Sequence, residues 1–177
     1  MKKTIIINLF GGPCAGKSTN AAGVFYELKT KGVNCELITE YAKDKVWEES
    51  LHTLDNQLYV FAKQYHRIFR VHDKVDIIVT DAPLLLSLYY GNHLSDNFKN
   101  LVKETVNQFN NVNFFLNRIK KYNPIGRLQT EDEAKGIDVN LKEIFKENNI
   151  PYYDINGDDE ASKIIANTIY EMVKENN

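Results

Sequence analysis

Cysteine is scarce in this chain of 177 residues: Cys14 and Cys35 are its only two. Two thiols cannot build a disulfide framework, and their spacing fits no zinc pattern. Cys14 falls in a glycine-rich stretch, where a small filler is expected, and Cys35 in an apolar run, where a core position is expected. Long apolar runs are missing too. No window reaches the ~18 residues that a membrane span needs, so no membrane partner is expected. The opening MKKTIIINLF is immediately followed by GGPCAGKST, with no small-residue cleavage site. It therefore reads as a first strand rather than a secretory leader, and the expected location is the cytoplasm. Excess positive charge is also lacking: the net charge is −2. That makes nucleic acid an unlikely main partner while leaving room for a local anion pocket. Arginine is the rarest cation, at positions 67, 70, 118 and 127 only. Lysine covers the generic surface, so each arginine marks a position of interest.

What is present suits one soluble domain over residues 1–177: 43% apolar and 26% charged residues, enough for one core. Thr4 to Phe10 is a β-branched run that predicts a strand buried on both faces. Gly11 to Gly16 predicts a loop, and Lys17 to Lys31 a helix stopped at Gly32. Further strands are expected at Cys35–Thr39, Asp76–Thr80, Val112–Leu116 and Tyr152–Ile155. Helices are expected at Glu40–Glu49, Leu51–His72, Leu84–Tyr90, Ser95–Phe109, Glu131–Asn148 and Asp158–Glu175. Arg118 to Thr130, with Pro124 and Gly126, predicts a loop. Strands alternating with helices imply an α/β, three-layer, doubly wound domain with five parallel strands. Ligands in such sheets sit beyond the carboxyl ends of the strands. The positions to read are therefore Gly11–Gly16, Glu40–Tyr41, Asp81–Pro83, Asn117–Arg118 and Asn156–Gly157.

The first of these is the most specific. Gly11, Gly12, Pro13, Cys14, Ala15, Gly16, Lys17 and Ser18 satisfy G-x-x-x-x-G-K-[ST] throughout, with a strand before and a helix after. Such a loop turns backbone amides inward around a phosphate, and the following helix points its positive end at the same anion. ATP is the expected ligand, held by residues 11–18 and by Thr19. Lys17 is expected on the β- and γ-phosphates, and Ser18 on Mg²⁺.

With GGPCAGKST, ITEYAKDKVWEE, TDAPLLLSLYY and RIKKYNPIGRLQTEDEAKGID, the whole chain resembles the P-loop nucleoside and nucleotide kinases. It is most similar to the small AAA-type ATP-binding proteins, many of them phage-encoded, that include the bacterial ribosylnicotinamide kinase domain. A phage protein would act in the host cytoplasm. The resemblance implies a P-loop NTPase fold and ATP·Mg²⁺-dependent phosphoryl transfer to a nucleoside, mononucleotide or nucleoside-like metabolite. Glu40, with the aromatic Trp47 after it, matches the acidic strand tip of nucleoside kinases. A carboxylate there would accept a substrate hydroxyl proton. Asp81 would orient Mg²⁺ opposite Ser18, although the two acids could exchange roles. Tyr41, Trp47, Phe61, Gln64 and Arg67 are the expected acceptor-binding residues: Phe61 stacking on a ring, Gln64 on its edge, Arg67 on the same helix face. Tyr59 and Tyr65 are expected in the core, and His66 and His72 on the surface. The 118–130 loop resembles a kinase lid, which would bring Arg118 to the nucleotide and Arg127 to the transferred phosphate. Thr130 and Glu133 predict a capping box at the next helix.

Other readings carry less. A kinase of polynucleotide ends or modified DNA bases shares the loop but needs a basic channel. A water-activating ATPase would want a second acid after Asp81, where Ala82 stands, and a GTPase would want a guanine-selecting N-K-x-D motif that is missing. The sequence leaves the oligomeric state open, a homodimer included.

Overall fold

The β-branched run near the amino terminus forms β1 (Ile5–Phe10), the central strand of a five-stranded parallel sheet in the order β2-β3-β1-β4-β5. The computed structural model describes residues 4–123, 125 and 129–175. Along the chain, β1 is followed by α1 (Lys17–Thr30), β2 (Cys35–Ile38), α2 (Tyr41–Trp47), α3 (Gln57–Phe69) and β3 (Ile77–Thr80). Then come α4 (Ser87–Tyr90), α5 (Asp96–Val106), β4 (Asn110–Asn117), α6 (Glu131–Glu147), β5 (Tyr153–Asn156) and α7 (Ala161–Glu175). This is the expected three-layer α/β arrangement.

Strand alternation divides the core in two. Ile6 and Phe10, with Ile78 and Phe115, face Ile68 of α3, Phe98 and Val102 of α5 and Phe145 of α6. Ile7 and Leu9, with Ile77, Val79, Phe114 and Leu116, face Val24 and Leu28 of α1 and Ile165 and Ile169 of α7. Asn8, 4% exposed, breaks the apolar run on the first face. Its Nδ2 donates to Asn111 Oδ1 at 2.9 Å and Asn113 Oδ1 at 3.0 Å. A slip of one residue would strand these amides in the opposite apolar layer, so the trio fixes the β1–β4 register.

The remaining expected elements fall within three residues of their observed bounds, with one exception. The helix expected over Leu51–His72 is interrupted. Leu51–Asp55 is a 3₁₀ turn, and α3 begins only at Gln57. Asn56 makes the break, its Oδ1 accepting the Tyr59 N–H at 3.1 Å, an N-cap that satisfies an otherwise orphan donor. The break turns Tyr59 outward: expected in the core, it is 40% exposed. Tyr65 does pack at the edge of the core. His66 is exposed as expected, whereas His72 is half-buried, its ring 4.9 Å from that of Phe109. Cys35 is buried, and Thr130 and Glu133 make the expected capping box.

Candidate active site at the strand tips

All the strands are parallel, so their carboxyl ends lie on one side of the sheet. The loop after β1 occupies the middle of that side. Gly16 caps α1 with φ of 90°, a left-handed conformation that glycine adopts without steric cost. It turns the chain so that the first amides of α1, at Lys17, Ser18 and Thr19, point out of the helix end, where a helix has no partners of its own for them. The Lys17 ammonium folds back over the loop, donating to the carbonyls of Gly11 (2.7 Å) and Gly12 (3.1 Å). Cys14 is half-exposed in the left-handed region, with φ of 64°, and its thiol donates to the Asn123 carbonyl at 3.1 Å. Beyond filling the loop, as expected, it therefore holds a turn in the loop and contacts the segment after β4.

β3 lies next to β1 and ends at Thr80, which places Asp81 beside the loop. Asp81 is 3% exposed, and among the described residues its buried Oδ1 has no hydrogen-bond partner. A buried carboxylate oxygen with no donor is costly, so this one calls for a partner from outside the chain. A hard cation fits. Mg²⁺ binds through one or two protein oxygens plus waters and phosphate oxygens rather than in a protein cage. Among the described residues no group of three or more His, Cys, Asp or Glu side chains could hold a metal ion.

β2 lies one strand further out, and Glu40 follows its tip. Glu40 is the N-cap of α2, yet its side chain makes no capping bond. The Tyr41 N–H donates instead to Gln64 Oε1 at 2.9 Å, and Gln64 Nε2 donates to the Thr39 carbonyl at 3.3 Å. Arg67 donates to the same carbonyl at 3.1 Å, ion-pairs with Asp44 and lies 5.3 Å from the Tyr41 ring centre. Gln64 and Arg67, expected to face a substrate, are thus occupied with the backbone on either side of Glu40. Phe61 is 5% exposed and packs edge-on against Phe98 in the core, so it offers no stacking face. Trp47 is 66% exposed at the far end of α2. Tyr41 is buried, its ring centre 6.0 Å from that of Tyr59. Burial, with a hydrogen bond to Tyr59, raises its phenol above the ordinary range.

β4 ends at Asn117, and Arg118 follows. Arg118 was expected in the lid. Its side chain is instead only 8% exposed and wedged beneath the phosphate loop. It donates to the Pro13 carbonyl and pairs with Asp138 of α6 at 2.8 Å. Asp138 also accepts the Gly12 N–H. After β5, the Gly157 N–H donates to the Asn117 carbonyl at 2.9 Å, tying the last two strand tips together. Arg127 lies outside the described residues.

Two residues were missed in the sequence. Asp138 sits on a helix seven positions after its start, as the last residue of the RIKKYNPIGRLQTEDEAKGID segment, where no role was assigned to it. Tyr90, at the end of α4, is pushed well above the ordinary phenol range, first by burial, then by Glu40, Tyr89 and Asp138. Burial and the nearby carboxylates both disfavour its phenolate. Its position in TDAPLLLSLYY after strand three was the only available signal.

A family model described as "AAA domain" matches residues 6–162. The chain belongs to that family. No curated protein matches the chain. The AAA domain together with the five-stranded parallel sheet makes this the P-loop NTPase fold, and it supports nucleotide binding. Among the described residues no helix is long and apolar enough to cross a membrane.

Proposed function

We propose that this AAA-domain protein is an ATP-dependent phosphotransferase acting on a hydroxyl of a nucleoside or nucleoside-like molecule. The observation that carries the reading is the spacing of two acids by the strand order. Asp81 ends the strand adjacent to β1, and Glu40 follows the strand beyond it. Neighbouring strands lie about 4.8 Å apart, so Asp81 stands one strand from β1 and its loop and Glu40 two strands, roughly 10 Å, from it. Asp81 belongs with the triphosphate, and Glu40 with whatever approaches it. Asp81 and Ser18 would hold Mg²⁺, which when bound offsets charge on the phosphate oxygens.

In this reading the amides of Lys17, Ser18 and Thr19 and the Lys17 ammonium bind the β- and γ-phosphates. Lys17 exchanges the loop carbonyls for phosphate oxygens. Glu40 accepts the proton of the attacking hydroxyl, its backbone held still by Gln64 and Arg67. Tyr90, whose phenolate burial and Glu40 disfavour, keeps its proton as a donor on this side of the site. Ala82, 6% exposed, follows Asp81 where a water-activating ATPase would place its second acid.

The acceptor class follows from charge. A mononucleotide brings its own phosphate, which a cationic side chain would have to bind. Among the described residues Arg67 and Arg118 are already paired internally, and a second phosphate would approach Glu40. An acceptor without phosphate fits better. The test is ADP release from ATP·Mg²⁺ with a panel of nucleosides and mononucleotides. Release that depends on a nucleoside is expected. Release at one rate whatever the acceptor would refute the proposal in favour of an ATPase. A labelled oligonucleotide would do so in favour of a polynucleotide kinase.

A further inference from the structure

The loop motif explains the phosphate-facing half of the loop but not what holds its other half. That half, Gly11 to Pro13, is gripped from outside the motif. Asp138 stands two turns into α6, its side chain 19% exposed. Its Oδ1 accepts the Gly12 N–H, and its Oδ2 lies 2.8 Å from the Arg118 guanidinium. Arg118 in turn donates to the Pro13 carbonyl and reaches the Ala134 carbonyl at 3.4 Å. The path from Gly12 through Asp138 and Arg118 to Pro13 is a closed ring of charge-assisted bonds. Packing reinforces it: a Cβ on Gly12 would lie 2.5 Å from the Ala134 carbonyl oxygen, so α6 abuts the loop with no room for a side chain.

We propose that Asp138 is a positioning residue of the phosphate loop. Its carboxylate draws the Gly12 amide and Arg118 into one rigid unit, and that unit presets the amides of Lys17, Ser18 and Thr19 for a triphosphate. The inference rests on the nucleotide-binding role of this loop and not on the identity of the acceptor. Two effects of the carboxylate compete. Its negative charge repels phosphates, while the order it imposes spares the ligand the entropic cost of arranging the loop. Removing Asp138 alone also uncovers the Arg118 cation; the ordering effect is the larger of the two, so binding weakens.

The experiment is calorimetric titration of the purified full-length protein with ATP and MgCl₂, well below the melting temperature of each variant. Asp138→Asn keeps the shape and an acceptor for Gly12 but loses the ion pair. Its affinity should fall roughly tenfold, the scale of one charge-assisted hydrogen bond. Asp138→Glu should recover part of that loss. Because a lone Arg118 left buried could impair folding, Arg118→Met/Asp138→Asn is the second variant. It removes the pair without changing net charge and should show a similar loss. Where an acceptor is turned over, the KM for ATP should rise by the same factor while the KM for the acceptor holds. A residue that only stabilised the fold would lower the melting temperature and leave both constants alone. Parental or tighter ATP binding in Asp138→Asn, or parental binding in the double variant, overturns the proposal. A parent that binds ATP but phosphorylates nothing refutes the kinase reading and leaves this one standing. A parent that takes up no ATP removes both.

Discussion

The phosphate loop and the α2–α3 wall both follow a strand of the same sheet, and both carry residues that match kinase motifs. They are shaped in opposite ways. In the loop the motif residues form an open cradle: backbone amides turned outward by Gly16, and a lysine folded over the loop carbonyls. In the wall the motif residues face one another. Gln64 and Arg67 are bound to Thr39, Tyr41 and Asp44, and Phe61 to the core. Contact with a phosphate needs only backbone and one cation, which a contiguous run of residues can provide. An acceptor pocket has to be assembled from segments that are distant in sequence, and there a polar side chain goes to the nearest unsatisfied backbone group first.

The contrast can be tested from both sides. Lys17→Ala should have the largest effect, lowering ATP-dependent turnover about a thousandfold, since it removes the only motif cation from developing phosphate charge. Steady-state rates equal to the parent's would remove the loop from the mechanism. Glu40→Gln should lower kcat about a hundredfold with ATP affinity unchanged, the scale of a lost general base. If Asp81→Asn does this instead, the two acids exchange roles. In the wall, Gln64→Ala should cost about 1–3 kcal/mol in chemical denaturation, from the buried Thr39 and Tyr41 groups left without partners. It should lower kcat more than it raises the KM of the acceptor, because it acts through Glu40. A change confined to acceptor KM would return Gln64 to the substrate surface.

The two cysteines sharpen the same comparison chemically. Half-exposed Cys14 should be alkylated by N-ethylmaleimide and protected by ATP, as mass spectrometry of the adducts would show. Buried Cys35 should stay unlabelled, its thiol held above the ordinary range mainly by burial. The sign follows. A thiol whose ionisation is raised on folding contributes fully below the ordinary thiol range, and the contribution fades as the pH climbs through and above it. The smallest effect belongs to Trp47→Ala. An exposed side chain at the end of α2 should change stability by less than about 0.5 kcal/mol, read as a melting temperature close to the parent's. It should also leave acceptor KM unchanged, and a large rise there would place Trp47 in the pocket.

How much was legible varied with range along the chain. The strands could be read because each is a short β-branched or apolar run ended by glycine, asparagine or an acid, and the capping box because Thr130 and Glu133 are three residues apart. The break at Asn56 went unread, although an Asp-Asn pair before an apolar run is a helix start. Periodicity continued through it, and only the cap bond to Tyr59 shows the interruption. Arg118 was noticed for its rarity, but its direction was not readable. Its partner Asp138 lies 20 residues away on a helix face that the sequence presents as ordinary.

By itself, the order of residues determined the alternation of strands and helices, the amide cradle of residues 11–18 and the two acids after the second and third strands. All of these depend on neighbours a few positions apart. Tertiary structure alone decided that β3 lies between β2 and β1, so that Asp81 and Glu40 take different places along the site. It also decided that Gln64, Arg67 and Arg118 are bound internally. Those outcomes depend on which buried donor meets which acceptor across the packed layers, and distances between segments, not spacing along the chain, settle that competition.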